Sequence, residues 1–202
     1  METISKIIVN ILTIAYQSFG LAVILSVLFM FVWKNYAGVK QAIIEWMSWF
    51  KSDSHFRRVF LLVFYTVMIL LCTLLNRNMW ANPVSDVIGI WGLYNEKGEF
   101  TSEAVENLVL FLPFVILLFW GFREKLIPKL TLLSVLWKAT KITFLFSFTI
   151  EMLQLFLRLG TWQLSDLFYN TLGGAVGGLI YYIAYKIKHK IRGQHGFTRF
   201  KI

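Results

Sequence analysis

Charge is scarce in this chain. Only 15% of its 202 residues are charged, against 57% that are apolar. The apolar residues lie in long blocks, a pattern that excludes a soluble domain of this length. Cysteine is nearly absent: the single Cys72, inside an apolar run, excludes a disulfide framework. Histidine is scarce too, with three residues. His55, His189 and His195 fall in basic segments, and none has a second side chain at metal-ligand spacing, so neither a metal nor a cofactor is expected. No glycine-rich loop follows a strand, which removes nucleotide binding, and Ser147 has no histidine or lysine in its run to serve as a hydrolase base. The formal net charge of +9 does not make nucleic acid a partner, because the basic residues sit in short segments beside apolar runs. What remains is an all-α, polytopic transmembrane helix bundle with membrane lipids as its surroundings.

Five apolar runs are long enough, or nearly so, to cross a bilayer: Ile7–Trp33, Val59–Leu75, Asn107–Gly121, Ile142–Leu159 and Leu167–Tyr185. The third is short and is expected to begin a turn earlier. Between the first two, Val39, Ile43, Trp46, Met47 and Phe50 form an apolar stripe. It suits either a helix on the membrane surface or a linker packed on its neighbours. The loop Asn76–Glu106 is acidic, with Arg77 and Lys97 facing Asp86, Glu96, Glu99, Glu103 and Glu106. Its greasy patch from Val87 to Tyr94 is too short to cross, and is expected either to dip into the interface or to lie over the helix mouths.

Sixteen of the twenty basic residues lie in three alternate segments, five after the first span, five after the third and six in the tail, where no acid opposes them. The positive-inside rule places all three in the cytoplasm, which gives about five spans with the N-terminus out and the C-terminus in. The short turn 160–165 then lies outside with the acidic loop.

The fourth and fifth runs carry the chemistry. Ser147, Glu151, Gln154 and Arg158 recur at helical spacing and share a face. Glu151 stands ten residues beyond Lys141, about 15 Å along a helix and near the bilayer midplane. An ionised carboxylate there costs several kcal/mol unless paired, hydrated or protonated. Asn107 opens the third span, and Asp166 and Asn170 open the fifth. These seven residues are the candidate ligand pocket, opening outward and floored by Glu151, which is also the candidate catalytic group if there is a reaction. Hydrogen bonds that simply pin helices together are the alternative. Gly173 with Gly177 and Gly174 with Gly178 are small-xxx-small pairs that let a neighbouring helix approach. Asp166 is placed to cap the fifth helix, and Pro113 is expected to kink the third.

Asn107, Phe111 and Pro113, then Ser147, Glu151 and Gln154, then Asp166, Asn170, Thr171, Gly173 and Gly174 form three ordered motifs. Over about Arg57 to Tyr185 the chain resembles the VanZ-like membrane proteins, bacterial proteins whose founding member is associated with teicoplanin (glycopeptide) resistance. Phe114 and Val115 stand where that family usually has a glycine soon after the proline. On this resemblance 1–56 is an added helix and basic linker, 57–187 a four-helix core and 188–202 a basic cytoplasmic tail. The resemblance implies a cell-envelope protein that modulates glycopeptide susceptibility, with a lipid-linked cell-wall molecule or the glycopeptide as partner. A membrane enzyme using Glu151 as general acid or base, and a small proton-coupled transporter subunit, are the alternatives.

Overall fold

The computed structural model describes residues 2–34, 39–75, 79, 82–95 and 97–198, and these are almost wholly helical. The elements are α1 (Glu2–Lys34), α2 (Val39–Ser52), α3 (Ser54–Leu70), α4 (Glu103–Leu126), α5 (Leu132–Leu157) and α6 (Leu164–Thr198), with a π-helical turn, Leu71–Leu75, ending α3. Arg77, Glu96, Arg199 and Lys201 lie outside the described residues.

Four helical segments are long and apolar enough to cross a membrane: Ile4–Val32, Ser54–Leu74, Glu103–Leu126 and Leu132–Leu157. The protein is a multi-pass membrane helix bundle. α6 is not among the four, and its place in the bundle gives the reason. It is wedged between α4 and α5, which scarcely touch each other. A helix enclosed by protein needs no lipid-compatible surface all round, so glycines and polar side chains replace leucines on its buried faces.

The glycines divide between those two neighbours. A β-carbon on Gly173 would sit 2.1 Å from the Leu108 carbonyl oxygen, and one on Gly177 would sit 2.4 Å from that of Leu112, both on α4. On Gly174 it would meet the Thr143 hydroxyl at 2.0 Å, and on Gly178 the Ala139 methyl at 2.7 Å, both on α5. Sequence spacing alone suggested that Gly173, Gly174 and Gly177 all face the fourth span, yet Gly173 and Gly177 face the third. Adjacent glycines about 100° apart instead serve two.

The core on the α4 side consists of Phe111, Phe114, Val115 and Phe119, packed with Val135, Ala139 and Ile150 of α5 and Leu62 and Ile69 of α3. α4 begins at Glu103, a turn before Asn107, with Glu103 and Glu106 in its first turn, where the helix dipole favours acids. Pro113 was expected to mark the kink, yet the backbone keeps helical angles there. The break comes at Phe122 (φ −128°, ψ 21°). α5 begins ten residues before the apolar run, at Leu132, because Thr131 caps it by accepting the Ser134 N–H at 3.2 Å.

α1 is peripheral. Its buried residues are Ser18, Ala22, Ser26 and Met30, a mostly small-residue stripe at four-residue spacing. Along this stripe α1 packs on α3, where Cys72 donates to Ser18 Oγ at 3.3 Å. α2 packs on its neighbour α3 along one side only. Trp46 and Phe50 pack back onto Phe60, while Ile43, Ile44 and Met47 stay exposed. Arg57 fastens the two helices by donating to the Phe50 and Lys51 carbonyls at 2.9 and 2.8 Å.

Candidate functional site

Four of the polar residues singled out by spacing come together in two pairs, and two more bond backbone groups of other segments. Asn107 Nδ2 of α4 donates to Asp166 Oδ1 of α6 at 2.7 Å. Asn170 Nδ2 of α6 donates to Ser147 Oγ of α5 at 2.9 Å. Gln154 Nε2 of α5 reaches the Thr73 carbonyl at 2.8 Å, inside the π-helical turn. A π-turn widens the backbone and alters its hydrogen-bond ladder, which puts a carbonyl within reach of an outside donor. Glu151, only 2% exposed, accepts the backbone N–H of Gln163 through Oε2 at 3.1 Å.

Two expected members lie differently. Arg158 is exposed and ends α5 as its C-cap in the left-handed conformation (φ 56°), so it leaves the face that Ser147, Glu151 and Gln154 share. The spacing argument assumed a helix running to Leu159, two residues further than it forms. Asp166 sits within the first turn of α6, which begins at Leu164, and so cannot be its N-cap. Its carboxylate still suits the positive end of the helix dipole.

Sequence reasoning missed the segment that closes over this layer. Gln163, Ser165, Thr143 and Thr73 are all buried. Gln163 Nε2 donates to Asp86 Oδ2 at 2.9 Å and to Thr161 Oγ1 at 3.0 Å. The loop around 82–92 docks on the α5–α6 turn through its backbone. The Pro83, Val87 and Ile88 carbonyls accept the N–H groups of Trp162, Leu164 and Ser165 at 2.8, 2.9 and 3.3 Å. These N–H groups lie at the start of α6, where a helix has no carbonyls of its own to offer. Gly89 (φ +73°) comes so close that a β-carbon would meet Ser165 Oγ at 2.0 Å. Trp91 leans on Phe168 and Tyr169, and the Gly92 N–H donates to Tyr169 Oη at 3.1 Å. The patch is thus docked on the start of α6, with Ile88, Trp91 and Tyr94 still exposed. No local signal in the sequence links Asp86 or Gly89 to residues so far along the chain. The glycine between two apolar residues was the only hint.

The layer is rich in acceptors. Gln154 Oε1, Asn170 Oδ1, Gln163 Oε1 and Thr143 Oγ1 are buried without a protein hydrogen-bond partner. Glu151 is closed in, with the Gln163 N–H on its Oε2. The nearby cavity, about 220 Å³, lies between α1, α3 and α4. Ile11, Ala15, Met68 and Val109 form its apolar wall, and Thr73, Glu103, Glu106 and Asn107 give it a polar side. It touches the polar layer through Thr73 and Asn107. Tyr65, also in its lining, donates to the Leu110 carbonyl at 2.9 Å.

A family model described as VanZ/LLP1 matches residues 19–185. The match starts within α1, earlier than the three motifs. Neither the curated proteins nor the solved structures give a match. Spanning most of the chain and all three motifs, the family match carries the identification, and the chain belongs to the VanZ/LLP1 family of polytopic membrane proteins.

Proposed function

We propose that this protein modulates glycopeptide (teicoplanin-type) susceptibility in a bacterial cell envelope by binding the head of a lipid-linked cell-wall molecule. The observation that carries this reading is the cavity between α1, α3 and α4, apolar on one side and polar on the other. Such a lining suits an amphiphile whose head offers hydroxyl, amide or amine groups to carboxylates and a carboxamide while its chain rests against lipid-facing helices. Family membership supports the envelope setting. The reading is non-enzymatic: Glu151 serves the architecture of the layer, its carboxylate held by the Gln163 backbone.

The proposal includes a topology of five crossings, α6 being the fifth, with the N-terminus outside and the C-terminus inside. The cavity and the docked loop then face outward. Support comes from the basic residues at the opposite end, where Arg58 of α3 lies over Trp120 of α4 and Arg123 of α4 bonds Tyr185 of α6.

The test fills the cavity without touching the polar layer. Ala15→Phe, at matched expression, is expected to abolish the protein's effect on teicoplanin susceptibility. Leu12→Phe, an exposed position on the same helix, is expected to leave the effect intact. An unchanged effect in folded Ala15→Phe protein refutes the binding reading.

A further inference from the structure

At the end of the bundle away from the docked loop lies a second cavity of about 430 Å³, bounded by the start of α3, the last turn of α4 and the middle of α6. Its lining includes Arg58, Arg123, Lys125 and Lys188, with Glu124 as the opposing acid. That acid is 87% exposed and makes one contact with Arg123, at 3.2 Å. The arginines are held in place rather than free. Arg58 lies over the Trp120 ring at 5.7 Å, donating to the Trp120 carbonyl at 3.3 Å and to Ser54 Oγ at 3.2 Å. Arg123 lies over the Tyr185 ring at 5.0 Å and donates to its hydroxyl at 2.7 Å. The departure from helical angles at Phe122 falls immediately before Arg123.

We propose that this cavity binds the phosphodiester headgroup of an anionic membrane phospholipid. Fixed guanidinium groups suit phosphate oxygens, since their planar donor forks lose little freedom on binding. Topology alone requires only that cations lie near the membrane. It does not require them to converge on a concave site with aromatic shelves beneath them. A lipid is favoured over a soluble phosphate by the level of the site. Trp120, half-exposed at its rim, belongs to the residue type that settles at the headgroup layer, and basic recesses between spanning helices are the setting in which headgroups are recognised. The proposal concerns the end of the bundle opposite the glycopeptide-related cavity and stands without it.

Two charge-matched double variants of the full chain test it in neutral detergent, with lipid binding followed by native mass spectrometry and thermal unfolding. Arg58→Gln with Arg123→Gln removes the two held cations. Lys138→Gln with Lys141→Gln removes two exposed cations outside the cavity. For added phosphatidylglycerol, the arginine pair is expected to weaken binding about 30-fold and the lysine pair only slightly. Should the arginine variant fail to fold, Lys125→Gln with Lys188→Gln takes its place with the same expectation. Equal losses in both sets overturn the site in favour of diffuse attraction. Inorganic phosphate is expected not to compete at millimolar concentration; if it displaces the lipid, the source is a soluble phosphate and the lipid assignment falls. Phosphatidylcholine bound as tightly as phosphatidylglycerol also refutes it.

Discussion

Replacing Gly173 by alanine adds one methyl group where α6 lies against the backbone of α4. Its carbon would stand 2.1 Å from the Leu108 carbonyl oxygen and 2.9 Å from the carbonyl carbon, both backbone atoms that cannot rotate aside. Restoring an ordinary contact of 3.4 Å requires α6 to retreat from α4 by about 1.3 Å, given how little a packed interior yields. Retreat is blocked from behind, because Gly174 already lies against the short, branched Thr143 side chain of α5. Overpacking of this kind typically costs about 1–3 kcal/mol, and two obstructed directions place Gly173→Ala at or above the upper end. Alanine's better helix propensity returns up to about 1 kcal/mol, so a net loss of about 2 kcal/mol is expected. Gly20→Ala is the control. Nothing lies within 4 Å of its added carbon, so only the propensity gain applies and stability should stay level or rise. Unfolding of purified protein in mixed detergent micelles, followed by tryptophan fluorescence, measures both. If Gly173→Ala proves as stable as Gly20→Ala, α6 is not clamped between α4 and α5 and the account of its composition fails with it.

At Glu151, the glutamine variant keeps an oxygen to accept the Gln163 N–H, whereas alanine leaves that donor buried and unpaired. Glu151→Gln is therefore expected to fold normally and keep its effect on teicoplanin susceptibility, while Glu151→Ala loses about 1–3 kcal/mol in the same unfolding assay. Loss of the effect in folded Glu151→Gln protein would instead make the carboxyl proton part of the function. Reporter fusions along the chain should place residues 36–56 and 188–202 in the cytoplasm and 84–100 outside. Both termini on one side would refute the five-crossing topology.

Much of this was legible in advance, because helical spacing is local. Ser147, Glu151 and Gln154 do share the buried face of α5, and α4 does begin a turn before Asn107. Local spacing fails where a helix stops or where the partner is remote. Arg158 left the common face because a single residue turned left-handed. The bend expected at Pro113 appears instead at Phe122, directly after Gly121, a weaker breaker than the proline. Ser18, Ala22 and Ser26 carried the same small-residue signal as the glycines, and marked the α1–α3 contact in a run otherwise too uniformly greasy to show a face. Gln163 was unreadable, since its importance depends on a loop brought from far away in the chain.

That loop also sets an order in time. The carbonyls of Pro83, Val87 and Ile88 find their donors in Trp162, Leu164 and Ser165, about eighty residues later, a long-range closure of the kind that forms late. During synthesis the loop emerges well before the helix start that it will cover. It must therefore wait, unpaired at those carbonyls, while α4 and α5 are made. α6 follows both of its neighbours and fills the gap between them. Maturation then has a step in which α6 seats, the loop latches onto its first turn, and the polar layer is sealed by one event. A chain stalled before that point would keep all four of its most hydrophobic helices and yet lack the closed interior on which the family motifs depend.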